Sequence, residues 1–201
     1  MMFLIVIHRR LWSMSSSVIY TIGHSNRSFD EFVRLLDSIK VECVVDIRTV
    51  PKSRTNPQYN IDLLPDSLNR CGITYRQLPK LGGLRKKSTT IEENANAYWE
   101  NRSFHNYADY AFSPAFAEGL GELITVSKTH QCVIMCAEAV WWRCHRRIVS
   151  DYLLIRGIPV FHIMEEGKSS KATLTPAARP QELKVLYPRP EGKVDINSPT
   201  T

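Results

Sequence analysis

A chain of 201 residues, 43% of them hydrophobic, with a formal net charge of +6, is long enough for one sizeable core and too short for two independent ones. The positive excess is spread thinly and does not by itself define a nucleic-acid binder. Three local clusters stand out: Arg48, Lys52 and Arg54; Arg85, Lys86 and Lys87; Arg143, Arg146 and Arg147. Five cysteines, an odd number, read as reduced thiols of an intracellular, cytoplasmic protein and argue against a secreted disulfide framework.

Residues 1–7 are apolar but too few to span a bilayer, and His8, Arg9 and Arg10 follow with no small-residue cleavage site. Neither export nor a membrane anchor is expected. Residues 1–17 are read as an N-terminal extension, with Met14 an alternative start. Residues 18–23 form an apolar, β-branched run that stops at Gly23, His24, Ser25 and Asn26, the pattern of a buried strand and its exit loop. Ser28 is then a good N-cap for a helix carrying Phe29, Phe32, Leu35, Leu36 and Ile39.

Residues 42–50 predict a second strand, closed by Pro51 and followed by a polar, basic loop. A helix over 62–71 ends at Gly72. Residues 73–78 predict a third strand, ending at Gly82 and Gly83, where the backbone can turn or approach a ligand closely. Residues 84–102 read as an irregular flap. A helical stretch over 104–126 is broken at Pro114, and after it come a strand over 132–136, a helix over 143–156 stopped by Gly157, and a strand over 159–164. Beyond Glu165 the chain is polar and proline-containing, so residues 166–201 are read as a loosely attached tail.

Strands alternating with helical patterns predict an α/β fold, in which residues 18–165 form a single domain with a mainly parallel sheet and helices on both faces. In such a sheet the strand exits share one edge, and ligands bind there. That rule gathers His24, Ser25 and Asn26 from the first exit, and Asp46, Arg48 and Arg54 from the second. The third exit adds Gly82 and Gly83, and the fourth adds Cys136, Glu138, Arg143, Cys144, His145 and Arg146. The last helix also lacks any Ser, Thr, Asp or Asn between Ala139 and Val149 to cap its amides, so a bound anion is one candidate partner for them.

Taken together, the motifs Thr21-Ile22-Gly23-His24-Ser25, Asp46-Ile47-Arg48 with Pro51, Ser53 and Arg54, Leu81-Gly82-Gly83, Cys136-Ala137-Glu138 and Cys144-His145-Arg146 resemble the domain of unknown function 488 family over most of residues 18–164. The resemblance implies an α/β fold and a shared polar cleft, and no established reaction. From the residues themselves, the leading expectation is an enzyme acting on an anionic, phosphate-bearing substrate such as a nucleotide or nucleic acid. His24, His145, Glu138 and Asp46 would be its acid–base groups, and Ser25, Asn26, Arg48, Arg54, Gly82, Gly83, Arg143 and Arg146 its anion ligands. A non-catalytic nucleic-acid or phosphate-binding module is one alternative. The other is sulfur or phosphoryl transfer through Cys144, whose thiol pKa a helix start and basic neighbours would lower. Cys136, Cys144, His145 and His24 show no compact ligand spacing, and no metal is assigned. Cys136 reads as a strand-end core residue.

Overall fold

The computed structural model describes residues 18–190; the 1–17 extension lies outside them. In chain order the elements are β1 (Ile19–Gly23), α1 (Phe29–Asp37), β2 (Cys43–Asp46), α2 (Leu64–Arg70) and β3 (Thr74–Gln77), then α3 (Arg102–Tyr110), α4 (Pro114–Ser127) and β4 (Cys132–Cys136). They continue through α5 (Arg146–Leu154), β5 (Val160–Glu165), β6 (Lys168–Lys171), β7 (Arg179–Gln181) and β8 (Lys184–Leu186). Six strands form one sheet in the order β3-β2-β4-β1-β5-β6. The first five are parallel and β6 is antiparallel at the edge.

Local chemistry accounts for the boundaries. Ser28 and Glu31 form a reciprocal capping box at the start of α1. Pro114 at the first position of α4, with Ser113 as its cap, breaks the long helical stretch into α3 and α4. The central strand β4 is buried along its whole length, as an interior parallel strand must be. Its side chains alternate: Val133 and Met135 pack with α1 and α2 residues such as Phe32, Leu36 and Leu68. Cys132, Ile134 and Cys136 face the layer containing Tyr107, Phe116, Leu120, Ile148 and Tyr152 of α3, α4 and α5. The chain leaving β1 therefore enters the α1 layer, while the chain leaving the neighbouring β4 enters the α5 layer. Divergence of adjacent exits opens a crevice at that edge.

Two expectations change. The helix expected over 143–156 starts at Arg146, after a 3-10 turn over Trp141–Arg143. Cys144 is in extended conformation ahead of the helix and His145 is its N-cap residue. The amides of Arg147 and Ile148 bond to the carbonyls of Cys144 and His145, so part of the donor set proposed for an anion is already used. The second change concerns the polar tail. Residues 168–187 are attached: β6 extends the sheet, β7 and β8 form a hairpin, and Val185 and Tyr187 are buried in the α5 layer. Asp151 of α5 clasps this segment, accepting from the Thr175 amide at 2.9 Å and the Tyr187 hydroxyl at 2.9 Å. Such an anchor leaves no periodic apolar pattern to read.

Candidate functional site

The exits of β1, β2 and β4 are stitched together by backbone bonds. The His24 amide donates to Cys136 O and the Ser25 amide to Ala137 O, both at 2.9 Å, and the Ile47 amide donates to Met135 O at 3.0 Å. Gly23 is required here, because a Cβ at that position would collide with the Glu138 carbonyl. These bonds join the exits of β1, β2 and β4 into one continuous rim, and the side chains around it divide into three groups.

The first group is a thiol–imidazole cluster. Because Cys136 projects from β4 toward α5, its sulfur meets Cys144 and His145. The His145 Nδ1 atom lies 3.8 Å from Cys136 Sγ and 3.7 Å from Cys144 Sγ, and the three ligand-type atoms all lie within 4.8 Å of one another. The other ring nitrogen, Nε2, is 3.1 Å from the Ile47 carbonyl. A carbonyl only accepts, so Nε2 carries the proton and the Nδ1 lone pair points at the sulfurs. Tyr107 holds the ring edge-to-face at 4.9 Å.

Arg146 joins this cluster although it is only 1% exposed. Its Nε donates to Cys144 Sγ at 3.3 Å and its Nη2 to the Glu138 carbonyl at 2.5 Å. Among the described residues no carboxylate forms an ion pair with it. A buried guanidinium is costly unless a counter-charge accompanies it, and the Cys144 sulfur is the group placed to supply one. Burial pushes the Cys144 thiol up, but the hydrogen bond from Cys136 and the neighbouring His145 and Arg146 outweigh it and hold it well below the ordinary thiol range. Cys136 goes the other way, raised by its hydrogen bond to Cys144, by burial and by the charge there.

The second group is built around Arg48. Its Nε donates to Asp46 Oδ1 at 3.0 Å, and its Nη2 donates to Asp46 Oδ2 at 2.6 Å and to the Tyr59 carbonyl at 2.7 Å. Asp46 is fully buried and also accepts from the Arg48 amide and the Tyr75 hydroxyl. Its oxygens therefore serve to orient Arg48. His24 donates from Nδ1 to the Ser25 carbonyl and presents Nε2 to Arg48 Nη1 at 3.3 Å, while its ring stacks on Tyr59. Burial, with the Arg48 charge adding to it, lowers His24 from an ordinary 6.5 to about 4 despite the opposing bond to Ser25. At neutral pH this histidine is an uncharged prop for Arg48.

The third group lines two adjoining cavities. One, of about 310 Å³, is bounded by Arg48, Gly83, Glu138, Arg143, the thiol–imidazole cluster, and the apolar residues Val50, Leu84 and Phe104. The other, of about 420 Å³, is bounded by His24, Ser25, Asn26, Lys52 and Ser53, and shares Arg48, Val50 and Ala137 with the first. Arg54 is exposed and lines neither. Gly82 packs on Thr49, and Gly83 lies against the His145 ring, where a Cβ would come within 2.6 Å of Nδ1. Sequence reasoning read Cys136 as a core residue and missed the Ile47 carbonyl, Tyr107 and Phe104. Alternation along β4 was the one signal able to separate Cys136 from its strand neighbours. Trp141 stacks on His162, with ring centroids 4.3 Å apart.

Fold and site together define an α/β protein with a mainly parallel sheet and a thiol–imidazole–guanidinium cluster at the carboxyl ends of its strands. The family model described as Domain of unknown function DUF488 matches residues 28–153, more than half the chain. The chain belongs to that family, as the motif resemblance implied. No curated protein and no solved structure matches it. Among the described residues no helix is long and apolar enough to cross a membrane.

Proposed function

We propose that the two adjoining cavities form the active site of an enzyme acting on an anionic, phosphate-bearing substrate, a nucleotide or a nucleic-acid end. One observation carries this reading: Arg48 and Arg143 share a cavity with the apolar Val50, Leu84 and Phe104 and with the Cys136–Cys144–His145 cluster. Guanidinium groups suit a phosphate, and the apolar wall suits the body attached to it better than it suits free phosphate. Arg48, held by Asp46 and His24, and the exposed Arg143 bind the anion. Ser25 and Asn26 extend the track into the second cavity. Glu138, exposed in the first cavity, exchanges protons with solvent, and the cluster beneath it supplies the reactive group. Free thiols at the base of the site require a reducing compartment, so the cytoplasm is the location we assign.

The test is a screen of nucleotides, single strands and duplexes for binding and turnover. Arg143→Ala is expected to weaken binding about tenfold, equivalent to about 1.4 kcal/mol. Glu138→Gln is expected to lower kcat on the order of 10²-fold or more while leaving Kd nearly unchanged. Salt-sensitive binding with no turnover of any substrate would replace this reading with the non-catalytic module.

The buried Arg146–Cys144 contact favours a second reading, sulfur or phosphoryl transfer through the Cys144 thiolate. It requires Cys144 to alkylate faster at neutral pH than in the unfolded chain. Equal or slower labelling removes it.

A further inference from the structure

We propose that Cys136, Cys144 and His145 bind a zinc ion, with the fourth coordination position open to the cavity. The inference deepens the reading above by saying what the cluster holds, and its tests contain no substrate, so either can fail alone. Zinc–sulfur and zinc–nitrogen bonds of about 2.3 and 2.0–2.1 Å at a tetrahedral angle put sulfur and nitrogen ligands roughly 3.6 Å apart. The two sulfur–Nδ1 separations, 3.8 and 3.7 Å, already match that edge to within about 0.2 Å.

The surroundings point the same way. A metal-binding imidazole characteristically donates its second N–H to a carbonyl or carboxylate, which turns the other lone pair toward the ion; His145 does this through the Ile47 carbonyl. The Nε–H of Arg146 on Cys144 Sγ is the corresponding bond to a thiolate ligand. Two thiolates and an imidazole select a soft or borderline ion. Three protein ligands at the wall of a cavity shared with Glu138 match a catalytic zinc site, which keeps one position for water or substrate.

The experiment uses the full chain, stripped of metal by a chelator under reducing conditions and titrated with Zn²⁺ and with Co²⁺. One equivalent of Zn²⁺ per chain is expected, and Co²⁺ is expected to give thiolate-to-cobalt charge-transfer absorption. Cys136→Ser, Cys144→Ser and His145→Ala should each weaken Zn²⁺ binding at least 10²-fold, with Cys43→Ser unchanged. A companion measurement needs no variant: Zn²⁺ should protect Cys136 and Cys144 together from alkylation, mapped by mass spectrometry, while the exposed Cys71 stays reactive. Sub-stoichiometric binding, or unchanged labelling of either Cys136 or Cys144, overturns the proposal. Loss of binding in Cys144→Ser alone overturns it too.

Discussion

His145 is held from three sides: the Ile47 carbonyl fixes one nitrogen, Tyr107 fixes the ring plane, and Gly83 leaves room for the other nitrogen to face two sulfurs. The smallest side chain that can be added at residue 83 therefore acts on chemistry and much less on the core. For Gly83→Ala, a methyl 2.6 Å from Nδ1 forces the imidazole off its bond to Ile47. The expected cost in stability is about 1–3 kcal/mol, typical of overpacking, while binding or turnover at the cluster falls at least tenfold. Urea denaturation beside a ligand titration measures the two separately, and a variant with intact site function would show that the ring is free to move. Arg48 has the opposite character. Its partners Asp46 and His24 are buried with it, so each of the three depends on the others for its compensation.

At the scale of elements, the segment after β5 holds the domain closed instead of trailing from it. Tyr187→Phe removes the hydroxyl that reaches the buried Asp151 carboxylate, and the expected loss is about 1.5–3 kcal/mol, read as a lower urea midpoint with the cluster's ligand affinity retained. Strands and helices were legible because apolar residues recur at periods of 2 and 3.6 from Ile19 to Ile163. The convergence of the strand exits was legible too, since parallel strands deliver His24, Arg48 and Glu138 to one edge whatever the details. What stayed hidden depends on through-space register. Cys136 meets His145 only because of the face on which it leaves β4. The proton on His145 is set by a backbone carbonyl, which no side-chain pattern records. Asp46 and His24 looked like acid–base groups for the same reason: composition shows that they are polar, and only packing shows that Arg48 occupies them.

Across the whole molecule, two buried histidines make stability depend on pH in a defined direction. His24 is lowered to about 4 chiefly by burial, and His162 is lowered to about 4 by burial and then by Arg146. Both fall below the ordinary 6.5, so the unfolded chain binds more protons than the folded one between these values. Their contribution is fully present above pH 6.5 and is lost as pH falls through about 4, on the order of 2–3 kcal/mol for each. Urea midpoints should drop steadily from pH 7 to 4.5, with a shallower slope in His162→Gln; a midpoint unchanged over that range would refute it. The alternation along β4 carries one more consequence. Because odd and even positions of that strand address different helix layers, the strand behaves like a reading frame. Most of its apolar letters are interchangeable, but inserting or deleting one residue between Cys132 and Cys136 would turn the last sulfur toward α1 and α2. The sheet would keep its hydrophobic centre and lose the thiol–imidazole cluster at its edge.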